Sequence, residues 1–245
     1  MTIRQFLFFP FLVLLTGVSS CKKDTQPAPF QLVISPKFGS ESLALNTLYT
    51  LSNNQRIRIS TVQFYLSDVY AVRANGERVL ISRVSLCDVS KPSTCTISAE
   101  LQGDFSGLEY RLGLSPELNN TDPLAVPSSD PLAESKNMYW AWLKYIFFKV
   151  EGLADISGTG TGNPTQSVSY HVGGDAYAVT KMVSRNFSVQ QGTTTMLTLQ
   201  LDLKNLFDNN PDALNLTTEN QTDTDNRPDV AARFSTLFGE SFILP

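Results

Sequence analysis

Met196-Leu197-Thr198-Leu199-Gln200-Leu201-Asp202-Leu203 carries a leucine at every second position. Strict period two puts the leucines on one face of a β-strand and Met196, Thr198, Gln200 and Asp202 on the other, so one face lies in a core and one in water. The same period recurs outward from this stretch. Phe30, Leu32 and Ile34 alternate; Ile57 and Ile59 alternate against Arg56, Arg58 and Ser60; Val62, Phe64 and Leu66 alternate against Gln63, Tyr65 and Ser67. Short strands divided by Gly, Asn, Pro and Ser turns predict an all-β, β-sandwich-like single domain with long loops and one or two short helices. Asn75-Gly76, between Tyr70-Ala71-Val72 and Val79-Leu80-Ile81, predicts a hairpin. Gln191-Gly192 predicts another, between Phe187–Val189 and the Leu-rich strand. Helical signal is confined to residues 41–49 and 229–239, the second opened by Pro228-Asp229. Residues 115–137, rich in Pro, Ser, Asn and Asp, predict a long loop of the kind that often carries function. There is no internal repeat.

The N-terminus has a different character. Arg4 is followed by an apolar run, Phe6 to Leu15, and by Val18-Ser19-Ser20 directly before Cys21. A basic start, a short apolar run and small residues before a cut site make residues 1–20 a secretory signal peptide. The apolar run falls short of the roughly 20 residues that a membrane-spanning helix needs. A Cys after small residues resembles the lipobox of bacterial lipoproteins, which implies that Cys21 is lipidated and becomes the mature N-terminus. The tether then runs over residues 21–29, through Lys-Lys-Asp-Thr-Gln-Pro-Ala-Pro, and the folded domain over 30–245. Membrane contact comes through the lipid on Cys21, and the expected address is that of an outer membrane lipoprotein, on its periplasmic or cell-surface face.

Loss of Arg4 with the signal peptide moves the net charge from −4 to −5. An acidic chain without a Lys/Arg cluster argues against nucleic acid as a partner. Of three cysteines, Cys87 and Cys95 are left for each other once Cys21 is lipidated, and seven residues including Lys91-Pro92-Ser93 separate them. A disulfide stapling a hairpin or a strand-edge loop is expected. Asp223-Thr224-Asp225-Asn226 and Asp208 to Asp212 lack EF-hand spacing and read as solvated turns. Gly158 to Gly162 lacks the Lys-Ser/Thr ending of a phosphate loop. No nucleophile elbow occurs, so no catalytic constellation is evident and the chain is not expected to be an enzyme.

The densest aromatic segment is Met138-Tyr139-Trp140-Ala141-Trp142-Leu143-Lys144-Tyr145-Ile146-Phe147-Phe148-Lys149-Val150-Glu151-Gly152. It holds both tryptophans, and strand spacing would put Met138, Trp140 and Trp142 on one face. Tyr170-His171-Val172-Gly173-Gly174 holds the one histidine. These segments, with Val62 to Tyr70, Tyr110-Arg111-Leu112-Gly113-Leu114 and the Leu-rich strand through Leu206-Phe207, resemble the MbnP-like copper-binding proteins, methanobactin-associated periplasmic proteins and their lipoprotein relatives. The resemblance spans most of the mature chain and rests on the order and spacing of its pieces.

It implies a mostly β, exported domain. It also implies a copper ion held by histidines and by a tryptophan oxidised to kynurenine, the oxidation being done by a dihaem MauG-like peroxidase partner. Matched by motif, Trp140 is the residue to be modified and His171 the imidazole ligand. The chain departs from the family two residues after Trp140, where a second histidine is replaced by Trp142. An indole offers an N–H donor and no free lone pair, so it cannot replace an imidazole on copper. Met138, or failing that Met182, could supply a thioether to Cu(I). Core or sheet-surface aromatics and a hydrogen-bonded structural histidine are the plain alternatives for these residues. Two functions therefore stand side by side: a copper-associated MbnP-like protein, and a non-catalytic surface or periplasmic binding module on the same fold that has lost the metal site.

Overall fold

A computed structural model describes residues 26–245. The signal peptide, the lipidation at Cys21 and the first residues of the tether lie outside that range. The described chain holds fourteen strands and two α-helices: β1 (Ala28–Phe38), β2 (Glu41–Ser42), β3 (Leu48–Thr50), β4 (Arg56–Val72), β5 (Arg78–Asp88), β6 (Thr96–Leu101), β7 (Gly103–Leu112), α1 (Pro116–Asn119), β8 (Tyr139–Trp140), β9 (Lys144–Asp155), β10 (Gln166–Gly173), β11 (Val179–Val189), β12 (Thr195–Asp202), β13 (Gln221–Thr222), α2 (Pro228–Glu240) and β14 (Phe242–Ile243). β1 takes in Ala28 and Pro29, so the folded domain starts before residue 30, because these two residues pair with Leu101 and Glu100 of β6. No described helix is long and apolar enough to cross a membrane.

The strands form two sheets. The smaller runs β14-β12-β1-β2, with β6 also on β1. Its centre is a parallel pair whose register sets Leu32 beside Leu197 and Ile34 beside Leu199. Alternation in the Leu-rich strand holds through Leu201; at Leu203 the chain enters a 3₁₀ turn, capped by Asp202, which accepts a hydrogen bond from Lys204 N at 3.0 Å. The larger sheet runs β11-β7-β4-β9-β10-β13, with β3 and β5 on β4 and β8 on β9. β4 is long enough to serve both halves: residues 56–64 pair with β9 and residues 66–72 with β7. The change of partner falls between Phe64 and Leu66, and just beyond it the β4–β7 register shifts between Ser67 and Tyr70, where Asp68 has φ 50°.

From Phe64 to Leu66 both faces of β4 are buried, although the sequence alternates there. The cause is the 115–137 loop, which covers the outer face: Tyr65 donates to Pro131 O at 3.0 Å and Tyr145 to Leu132 O at 2.8 Å. At the opposite end of the chain, α2 presents Val230, Phe234, Leu237 and Phe238 on one face. Phe238 packs against Phe148 at 4.9 Å and Phe64 at 5.3 Å, which fastens the helix to the larger sheet.

The predicted hairpin at Asn75-Gly76 joins β4 to β5, with Gly76 at φ 85°. Gln191-Gly192 does turn, but β11 pairs with β7 and β12 with β1, so the chain crosses between sheets and makes no hairpin. The helix expected over 41–49 is absent: β2 and β3 occupy its place because Tyr49 stacks on Phe38 at 4.2 Å and Leu48–Thr50 pair with residues 56–58. The Cys87–Cys95 disulfide is formed and joins the end of β5 to the 3₁₀ turn that leads into β6, tying one sheet to the other.

Candidate functional site

The aromatic segment does not run on as one strand. β8 ends at Trp140, which pairs with Lys144, and residues 141–143 form the turn of a tight hairpin. Leu143 N donates to Trp140 O at 3.1 Å and Lys144 takes φ 66°, a three-residue loop closed by a left-handed residue. The expectation of one face for Met138, Trp140 and Trp142 fails for this reason. Met138 is 1% exposed in the core, whereas Trp142 is 56% exposed on the turn. The turn nevertheless brings Trp142 back onto Trp140, the two rings stacking with centroids 5.3 Å apart and planes at 26°.

The hairpin leans over β10 because β10 is cut away beneath it. A Cβ on Gly173 would lie 2.3 Å from Tyr145 O and 3.2 Å from Leu143 Cγ, so only glycine admits this approach. Trp140 thereby meets His171 edge to face, with centroids 4.9 Å apart and planes at 86°. His171 is held from both sides. Its Nε2–H donates to Glu151 Oε1 at 2.8 Å, while Thr224 Oγ1 donates to His171 O at 3.2 Å and accepts from Gly173 N at 3.1 Å. Glu151 is the diagonal neighbour of His171, since the register pairs His171 with Lys149 and Ser169 with Glu151. Partial burial pushes the Glu151 carboxyl up, but the His171 hydrogen bond, the Lys149 ammonium and Thr61 together hold it below the usual carboxylate range. Asp223 joins Tyr139, Trp140 and Trp142 around an open groove of about 370 Å³.

Of the residues expected in the site, the fold brings Trp140, Trp142 and His171 together. Met138 is in the core, and Met182 lies on β11, with β7, β4 and β9 between it and His171's strand. Among the described residues no group of three or more His, Cys, Asp or Glu side chains could hold a metal ion. Glu151 and Thr224 were not singled out from sequence. Glu151 stands in the quoted segment, but only strand register reveals that it faces His171.

The MbnP family model matches residues 27–227. The chain belongs to the MbnP family. A solved structure, MbnP from Methylosinus trichosporium, is similar in fold, with a TM-score of 0.53 over 82% of this chain and 86% of that one, at 14% identity. Among curated proteins none matches. The family's matched span takes in both tryptophans, His171, Glu151 and Thr224, and stops before α2.

Proposed function

We propose that this MbnP-family chain is a lipid-anchored, extracytoplasmic, non-catalytic protein that presents Trp140 for oxidation to kynurenine by a dihaem MauG-like partner. The supporting observation is the contact of Trp140 with a histidine clamped by Glu151 and Thr224. The stacked and exposed Trp142 beside it lies within reach of a docked partner. The anchor is the lipid on Cys21, and the outer membrane, on its periplasmic or surface side, is the proposed address.

As the side chains stand, they do not fit the family's copper site. One imidazole is present, its Nε2 is engaged by Glu151, and the indole next to it has no lone pair to give. Oxidation would alter the donor set, since kynurenine carries an aromatic amine and a ketone where the indole had neither. His171 and oxidised Trp140 are then the residues that would hold copper. A second reading, a binding module without metal, is favoured by Trp142, which stacks where the family has its second imidazole. Competition titration with Cu(I) separates the two. The first reading expects affinity to appear only in protein exposed to the partner and to fall in His171→Ala. No Cu(I) affinity in protein exposed to the partner would leave the metal-free module, and equal affinity in oxidised wild type and His171→Ala would remove His171 from the site.

A further inference from the structure

Beside the aromatic cluster, the 115–137 loop roofs a groove of about 560 Å³ on the outer face of the larger sheet. Thr61, Gln63, Lys149 and Glu151 line its sheet side, with Lys91 and Lys136 at its edges. Its carboxylates are already engaged. Asp88 accepts from Ser90 N at 3.0 Å, from Ser90 Oγ at 2.6 Å and from Gln63 Nε2 at 3.1 Å, and it pairs with Lys91 at 3.2 Å. Glu151 Oε1 takes the short bond from His171, and Lys149 reaches the same oxygen only at 3.9 Å.

The donors are in surplus. The Lys149 side chain is 18% exposed, yet among the described residues its only ion-pair partner is that distant oxygen. Lys136, on the loop, has no ion-pair partner among the described residues. An ammonium carries three donors and no acceptor, and a partly desolvated one without acceptors is costly. Lys149 and Lys136 both line this open groove, in a chain of net charge −4.

We infer that this groove binds a small anion, a ligand offering carboxylate or phosphate oxygens, through Lys149 and Lys136. Charge-assisted bonds to both ammonium groups would supply the acceptors that the protein leaves out, and the hydroxyls and amides around them suit a polar body. The inference is independent of whether Trp140 is oxidised. Its test is isothermal titration of the folded chain with inorganic phosphate, with glucuronate and with uncharged glucose. Binding of either anion with Kd below about 1 mM, weakening with salt and not matched by glucose, is expected. The anion that binds distinguishes a phosphate from a carboxylate ligand. Lys149→Met and Lys136→Gln should each weaken binding by about tenfold or more. Lys136 lies on a surface turn, so that variant tests the site even if Lys149→Met misfolds. Glucose binding as tightly as glucuronate, no heat from either anion, or an unchanged Kd in Lys136→Gln would overturn the inference.

Discussion

Trp142 stacks on Trp140 from a turn position and offers an N–H but no lone pair, so it supplies no nitrogen donor to a metal. Replacing it with a ligand should restore that donor: Trp142→His is expected to tighten Cu(I) binding by tenfold or more, read by competition titration. Glu151 sets the acid limit of the site. Its carboxyl is held below the ordinary glutamate range of about 4.3, so the stabilisation it gives is complete above that value and is lost as pH falls through its lower folded value. Acid titration followed by tryptophan fluorescence should show a transition below about pH 4.3 that disappears in Glu151→Gln. Trp140 and His171 were legible in the sequence because the motif order marks them. Glu151 was not, because its contact with His171 is made by strand register across 20 residues of chain.

The site depends on two local devices. Gly173 lets the β8–β9 hairpin settle on β10, and a methyl group there would collide with Tyr145 O at 2.3 Å, an immobile backbone atom. Gly173→Ala should cost about 1–3 kcal/mol in denaturant unfolding and loosen the Trp140–His171 contact. The Cys87–Cys95 bridge closes a sequence separation of 8. Reduction should lower stability by about 2–3 kcal/mol, seen as a lower denaturant midpoint. Alternation marked β4 and β12 because their faces differ in polarity, and Asn75-Gly76 marked its hairpin by turn chemistry. Residues 41–49 misled because Phe38 and Tyr49 stack across the chain and tertiary pairing outweighs a weak helical pattern. Gln191-Gly192 misled because a turn does not specify which sheet the next strand joins.

Across the whole molecule, the family match ends at residue 227, yet α2 beyond it seats Phe234 and Phe238 in the core against Phe64, Phe148 and Tyr170. Phe238→Ala should therefore destabilise the domain by about 3–5 kcal/mol, measured by chemical denaturation. That core holds β9 and β10 in the register that places Glu151 beside His171, with the hairpin bringing Trp140 and Trp142 above them. The fold thus holds Trp140 half-buried between His171 and the exposed Trp142. The most direct test is peptide mass mapping of the chain produced together with the proposed dihaem partner. The account predicts a mass change from kynurenine formation confined to Trp140, with Trp142 intact. Unmodified Trp140 in the presence of an active partner would contradict it.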